Sequence, residues 1–283
     1  PLTIRHYMKL PFIKMHGLGN DYVYIDCFPK TTAEYIAKSD LSALALRVSD
    51  RHFGIGSDGL VLILPSKEAD AKMRIFNADG SEAEMCGNAI RCVAKYLYEN
   101  NLCREIHMEI ETLAGIRALT LQIANDIVQQ VTVNMGKPII HSSSILIGND
   151  PIGYTSVNMG NPHAVFFRDT LPQLPANTNV ELVRVHENKK ELDLRVIERG
   201  SGETLACGTG ACAAAAAAMF NGLTAREVIV HLPGGDLLIQ WKTDQSSVFM
   251  TGPATEVFRG ELNTESHVYE YPLTATARPL SLY

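Results

Sequence analysis

Residues 76–92 read FNADGSEAEMCGNAIRC, and residues 197–213 read IERGSGETLACGTGACA. The two stretches align without a gap at an offset of 121, which puts Glu82 on Glu203, Cys86 on Cys207, Gly87 on Gly208 and Asn88 on Thr209. The likeness extends outward in the same order. Gly19-Asn20-Asp21-Tyr22-Val23 parallels Gly160-Asn161-Pro162-His163-Ala164 upstream, and Glu105-Ile106-His107-Met108 parallels Glu227-Val228-Ile229-Val230 downstream. Each copy then passes a turn containing Gly115 or Gly234-Gly235. Each closes on a strand-like run followed by Gly and Pro, Val131–Pro138 in one and Val248–Pro253 in the other. A repeat with this many matches in one order predicts two halves of one design.

Within a half the apolar periodicity is readable. Tyr22–Cys27, Leu60–Leu64 and Met73–Asn77 have the alternation or short apolar run of strands. Ala89, Val93, Tyr96 and Leu97 recur at helical spacing, with Arg91, Lys95 and Glu99 as a polar stripe, so 86–100 reads as an amphipathic helix beginning near Cys86. Residues 207–221 begin in the same way at Cys207 but carry no polar stripe. The run Ala213–Ala218 favours helix, lets neighbouring elements approach closely, and predicts a helix buried on all sides that stops at Asn221-Gly222. Each half is therefore expected to be several strands around one central helix. The division is placed at 1–133 for the first half, with 255–283 returning to it, and 134–254 for the second.

Composition excludes several classes. The 283 residues are 46% hydrophobic and 20% charged, ordinary globular values, with net charge −6 and no basic block, so nucleic acid is not an expected partner. An opening Pro1 is expected to reflect a trimmed or processed start. PLTIRHYMKLPF has no apolar core of the kind a secretory signal needs. The longest apolar stretch, Leu205–Phe220, is too short to span a membrane. A cytoplasmic protein without membrane association is expected. None of the six cysteines forms a Cys-x-x-Cys pair, which argues against a zinc knuckle or a dithiol redox motif. Cys27, Cys92, Cys103 and Cys212 read as small buried hydrophobes.

The doubled cysteine carries the chemistry. Inverting an α-carbon requires one proton to leave one face and another to arrive on the opposite face, so two acid–base groups must flank the carbon. Pseudo-symmetric halves meeting at a cleft supply such a pair. A thiol at a helix start meets free backbone N–H groups and the helix dipole, which favour the thiolate. The same N–H groups can bind a substrate carboxylate and the charge that develops when the α-proton leaves. Gly87, Asn88, Gly208 and Thr209 leave that backbone accessible. A cysteine peptidase pairing one thiol with His163 leaves the second cysteine unexplained. A pyridoxal-dependent racemase needs a Schiff-base lysine, and no lysine context singles one out. Gly54-Ile55-Gly56-Ser57-Asp58-Gly59 matches G-x-G-x-x-G, but its strand-like run follows rather than precedes it, so it reads as a turn and not a nucleotide site.

MHGLGNDY at 15–22, FNADGSEAEMCGNAIRC at 76–92, GNPHAV at 160–165 and ERGSGETLACGTGA at 198–211 resemble the diaminopimelate epimerase family, from about Phe12 to about Leu262. The resemblance implies two pseudo-symmetric α/β (α+β) halves, each a mixed sheet wrapped around a central helix, with the active site between them and a last strand near Val257–Leu262 returning to the first half. It implies interconversion of LL- and meso-2,6-diaminopimelate without metal or organic cofactor, in lysine and peptidoglycan-precursor synthesis. It puts Cys86 and Cys207 in the acid–base roles, Cys86 as base on the LL isomer. It carries over a binding set of Asn20, Asn77, Asn161, Asn179, Glu198 and Arg199. Amide oxygens and a carboxylate suit the ammonium of the non-reacting end, and Arg199 suits its carboxylate. A turn or cap role competes at Asn20, Asn77 and Asn179. His163 and Glu198 are candidates for tuning the thiols, with no sign of which serves which sulfur. The expected partner is the small-molecule substrate, and a homodimer is compatible with the resemblance. The broader fold is shared with proline racemases and hydroxyproline epimerases, which usually carry a histidine where this chain has Asn88. Many family members carry glutamine where this chain has Gly59, which leaves the distal pocket open to alteration.

Overall fold

The computed structural model describes residues 9–147, 150–171, 178–198 and 202–264. The first half lays down strands β1 (Lys9–Gly17) and β2 (Asn20–Asp26), helices α1 (Lys30–Lys38) and α2 (Leu41–Ser49), and strands β3 (Gly59–Leu64), β4 (Ala71–Asn77) and β5 (Glu82–Ala83). Helix α3 (Gly87–Glu99) follows, then β6 (His107–Thr112), β7 (Gly115–Ala124) and β8 (Ile127–Gly136). The second half continues with β9 (Ile139–Ile147), β10 (Asp150–Asn158), β11 (Pro162–Phe166), β12 (Asn179–Val185), β13 (Glu191–Glu198) and β14 (Gly202–Thr204). It ends with α4 (Gly208–Phe220), β15 (Glu227–Leu232), β16 (Gly235–Gln240), β17 (Val248–Gly252) and β18 (Thr255–Asn263).

The pairing repeats in both halves. One run of neighbours is β18-β1-β2-β3-β4-β6-β7-β8, and the other is β9-β10-β11-β12-β13-β15-β16-β17. The parallel pairs fall at equivalent places, β2–β3 and β4–β6 in the first half, β11–β12 and β13–β15 in the second. The halves join where β8 pairs with β17. Strand β9 follows β8 in the chain yet pairs with β10, and β18 follows β17 yet pairs with β1. The sheet of the second half therefore starts with β9, and that of the first half takes in β18 from the end of the described chain. Since β8 runs unbroken to Gly136, the division we propose falls after Gly136 rather than inside that strand.

Each sheet wraps its helix. Strand β8 alternates exposed and buried residues along most of its length, presenting Val128, Val131, Val133 and Met135 to the core. Strand β3, GLVLIL, is buried on both faces because α3 covers one side and α1 and α2 pack on the other. The alanine helix α4 is enclosed as its composition predicts, with only Thr209 and Phe220 outside the buried set. It ends at Asn221 with Gly222 at φ 68°. The polar stripe read on α3 is not a solvent face. Arg91 is 0% exposed and Lys95 8%, because β8 and the chain around Pro253 close over that side. Lys95 is satisfied by Glu99 at 2.6 Å and the Val128 carbonyl at 3.0 Å. Of the thiols read as packing, Cys27, Cys92 and Cys212 are fully buried, whereas Cys103 is half-buried beyond the C-terminus of α3. The Gly54–Gly59 stretch is a turn feeding β3, as its order predicts. Among the described residues no helix is long and apolar enough to cross a membrane.

Candidate active site

Cys86 and Cys207 are the N-cap residues of α3 and α4, both extended, with φ −138° and −126°. The two helix starts abut. A Cβ on Gly208 would stand 3.6 Å from the Gly87 Cα, and a Cβ on Gly87 would stand 2.7 Å from the Met250 methyl. Glycine at both positions is thus a condition of close approach. Cys86 is half-buried and Cys207 buried.

Around Cys86 the donors and acceptors come from the β1–β2 hairpin and the first turn of α3. The hairpin turns on Leu18 and Gly19, both at positive φ, and delivers Asn20. The Cys86 thiol donates to Asn20 Oδ1 at 3.5 Å. Asn20 is oriented from both ends, since its Nδ2 donates to Asp58 at 2.8 Å and its Oδ1 accepts from Asn88 Nδ2 at 3.2 Å. Asn88 Nδ2 also reaches the Ala206 carbonyl at 3.3 Å, which ties the first helix start to the segment preceding Cys207. Tyr22 lies beside the sulfur and can donate to it. At Gly59 a Cβ would overlap the Phe76 backbone carbonyl oxygen and stand 2.9 Å from the Tyr22 ring, so a longer side chain there requires the backbone to shift.

The surroundings of Cys207 are different. Its sulfur accepts from the Gly210 N–H at 3.3 Å and lies 3.5 Å from the Thr209 hydroxyl. His163 and Glu181 form a fully enclosed pair, Nδ1 to Oε1 at 2.5 Å, with Nε2 of His163 3.1 Å from Asn161 Oδ1. Glu181 Oε1 and Cys207 Sγ both lie within 3.3 Å of the point a Cβ would occupy on Gly210, so the carboxylate stands beside this thiol. Among the described residues Glu181 Oε2 has no partner. Sequence reasoning missed Glu181. Its one signal is a carboxylate flanked by the apolar residues Val180, Leu182 and Val183 of β12.

Burial decides the thiol chemistry. Both thiols are pushed above their ordinary range by loss of solvent, against the expectation that the helix starts favour the thiolate. At Cys86 the backbone N–H groups of Ala89 and Asn88, the Tyr22 hydroxyl and the charge of Arg91 pull the other way. At Cys207 the charges of Glu198 and Glu181 add to burial, and only Thr209 and the Gly210 N–H oppose it. Burial likewise raises Glu181, with His163 opposing. The helix starts do donate, but enclosure outweighs them.

Of the residues read from the sequence, Asn20, Gly87 and Asn88 gather at Cys86, and Gly208, Thr209 and Glu198 at Cys207. His163 and Asn161 reach that second thiol's surroundings through Glu181. Glu198 accepts from Thr204 at 2.8 Å. Asn77 and Glu198 occupy equivalent ends of β4 and β13. Asn77 also holds the turn to Ser81 at 3.0 Å, and Asn179 donates to the Pro162 carbonyl at 3.0 Å. Arg199 lies outside the described residues.

The diaminopimelate epimerase family model matches residues 12–141 and 168–257. A diaminopimelate epimerase of Acetivibrio thermocellus is 46% identical, covering 89% of this chain and 98% of that protein. One of Desulfitobacterium hafniense is 48% identical at the same coverages. A solved structure described as a probable proline racemase from Agrobacterium radiobacter superposes with a TM-score of 0.66 over 90% of this chain and 93% of its own. At 15% identity, that likeness is one of fold.

Proposed function

This chain belongs to the diaminopimelate epimerase family, and on that premise we propose that it interconverts LL- and meso-2,6-diaminopimelate in lysine biosynthesis, with Cys86 and Cys207 as the two proton carriers. The observation that carries the reading is that the two cysteines cap two helices whose starts abut. The substrate's reacting carboxylate binds the backbone N–H groups that open α3 and α4, which places the α-carbon between the sulfurs. One sulfur, as thiolate, takes the α-proton. The charge left behind spreads into the carboxylate, where the same N–H groups stabilise it. The other sulfur, as thiol, donates its proton to the opposite face. The reverse reaction exchanges the roles.

Asn20, Asn77, Asn161, Asn179, Glu198 and Arg199 bind the non-reacting amino-acid end in this reading. No metal or organic cofactor takes part, the enzyme is cytoplasmic, and it works as a homodimer without nucleic acid or membrane. Asn88 disfavours the proline-racemase branch. It is held by Arg91, Asn20 and the Ala206 carbonyl, and it has no titrating group to lend.

The test is α-proton exchange in deuterated water. Dialysed enzyme, with chelator and without pyridoxal phosphate, is offered diaminopimelate, proline, lysine and glutamate. Exchange and epimerisation are expected on diaminopimelate alone. Exchange on proline instead transfers the assignment to the racemase branch, and recovery of activity only with metal or pyridoxal phosphate overturns the mechanism.

A further inference from the structure

Arg91 is a fully buried cation. Its Nε donates to the Pro253 carbonyl at 3.0 Å, Nη1 to the Gly87 carbonyl at 3.0 Å and Nη2 to Asn88 Oδ1 at 2.9 Å, and Nη1 lies 3.9 Å from Met250 Sδ. Every one of these acceptors is neutral. Among the described residues no carboxylate pairs with it. Hydrogen bonds answer its donors but not its charge, and a buried charge without an opposite one is costly. The ionisable groups that feel it are Cys92, Cys86, Tyr24 and Cys212. Cys92, Tyr24 and Cys212 are sealed in the core. Cys86 alone of these reaches the solvent side.

Among the described residues the other half has no such cation, Arg199 lying outside them. Position 212, which the repeat aligns with Arg91, is a cysteine, and the charges near Cys207 are those of Glu198 and Glu181. Among the described residues the two thiols therefore differ in what backs them, a buried guanidinium behind Cys86 and the carboxyl groups of Glu198 and Glu181 near Cys207.

We propose that Arg91 is the built-in counter-cation of the Cys86 thiolate, so that the unliganded enzyme loses its thiol proton at Cys86 before Cys207. The proton that leaves is the one donated to Asn20 Oδ1, and it passes to bulk water, which Cys86 reaches. The sulfur that remains faces donors from Tyr22 on β2 and from the Asn88 and Ala89 N–H groups on α3. The other charges on that side pair among themselves behind Asn20, Arg51 with Asp58 at 2.9 Å and with Asp21 at 2.8 Å, and Lys14 with Asp21. Arg91 is a positioning residue acting through Cys86, and the proposal rests on the two-thiol reading.

The experiment is peptide-mapped alkylation of Cys86 and Cys207 by iodoacetamide across pH, without substrate, in the wild type, Arg91→Lys and Arg91→Gln. In the wild type Cys86 is expected to label at lower pH than Cys207. Arg91→Lys, which keeps the charge but not the three-way hydrogen bonding, retains the Cys86 profile. Arg91→Gln raises it by about one unit, roughly tenfold less thiolate at a fixed pH, and leaves Cys207 in place. If Cys207 labels at the same or lower pH in the wild type, the proposal is wrong whether or not the variants fold. An unmoved Cys86 profile in folded Arg91→Gln, or equal shifts in both variants, also overturns it and leaves Arg91 a structural tie. Retained epimerisation by Cys86→Ala would instead overturn the two-thiol reading, whatever the labelling order.

Discussion

His163 Nδ1 lies 2.5 Å from Glu181 Oε1, and neither side chain has any exposure to solvent. Strand register makes Tyr22 and His163 equivalent, since Tyr22 sits one residue before the Val23–Leu60 pair and His163 one residue before the Ala164–Val180 pair. The two halves thus back their thiols with different chemistry. A phenol that burial holds far above its usual range can only donate to Cys86, whereas an ionisable pair stands near Cys207.

That pair has a measurable signature in stability. Burial raises the Glu181 pKa, so the folded state holds this proton more tightly than the unfolded one. Its contribution is fully present below the unfolded carboxyl value and is lost as pH rises through the folded one. Glu181→Gln removes the titration. The melting temperature of the variant relative to the wild type is expected to rise between pH 5 and pH 8. A constant difference over that range would mean that Glu181 does not titrate there.

Replacing either thiol tests the core of the mechanism. Cys86→Ala and Cys207→Ala are each expected to lower kcat by about 10³-fold or more with the fold intact, because each removes a non-redundant proton carrier. Cys92→Ala and Cys212→Ala remove only a buried sulfur each, at about 1 kcal/mol of stability, and should keep near-normal turnover. Circular dichroism and steady-state kinetics separate the two classes. Near-normal turnover by Cys207→Ala would refute the scheme.

The pH–rate profile follows from enclosure. With both thiols raised by burial, thiolate is scarce at neutrality, and kcat/KM is expected to climb from pH 7 toward pH 9. A maximum below pH 7 would contradict the burial argument.

Close approach at the helix starts makes a steric prediction. Gly87→Ala forces its Cβ to within 2.7 Å of the Met250 methyl. Overpacking of this kind costs about 1–3 kcal/mol and displaces the Cys86 turn, so urea denaturation and kcat should fall together. Unchanged stability and turnover would show that the two halves have slack here.

Restoring the family's glutamine should not restore a contact. Gly59→Gln makes its Cβ overlap the Phe76 backbone carbonyl oxygen and places it 2.9 Å from the Tyr22 ring, and the variant is expected to be destabilised and to bind diaminopimelate more weakly. Tighter binding, read as a lower KM, would show that the pocket can accommodate it.

The sequence by itself determined the doubling, the two central helices and the two cysteines at their starts, because a repeat and an apolar period are properties of order along the chain. It also put Asn88 and Thr209 two residues beyond their cysteines, whereas Asn20 came only from the resemblance, as a substrate-binding residue, and the structure brought it to Cys86. The return of β18 to the first half came from the family resemblance, and the tertiary structure supplied its partner, β1, since strand pairing depends on which edge is open and not on the strand's own pattern. Only the tertiary structure buried Arg91. Three charges at helical spacing read as a solvent stripe until another part of the chain covers them, and Pro253, which does so, is 162 residues away. Glu181 was hidden for the same reason, one charged residue on a strand whose neighbours in sequence say nothing of Cys207. The thiol energetics went against the local reading because a helix start is a local feature, whereas desolvation is set by everything that packs around it.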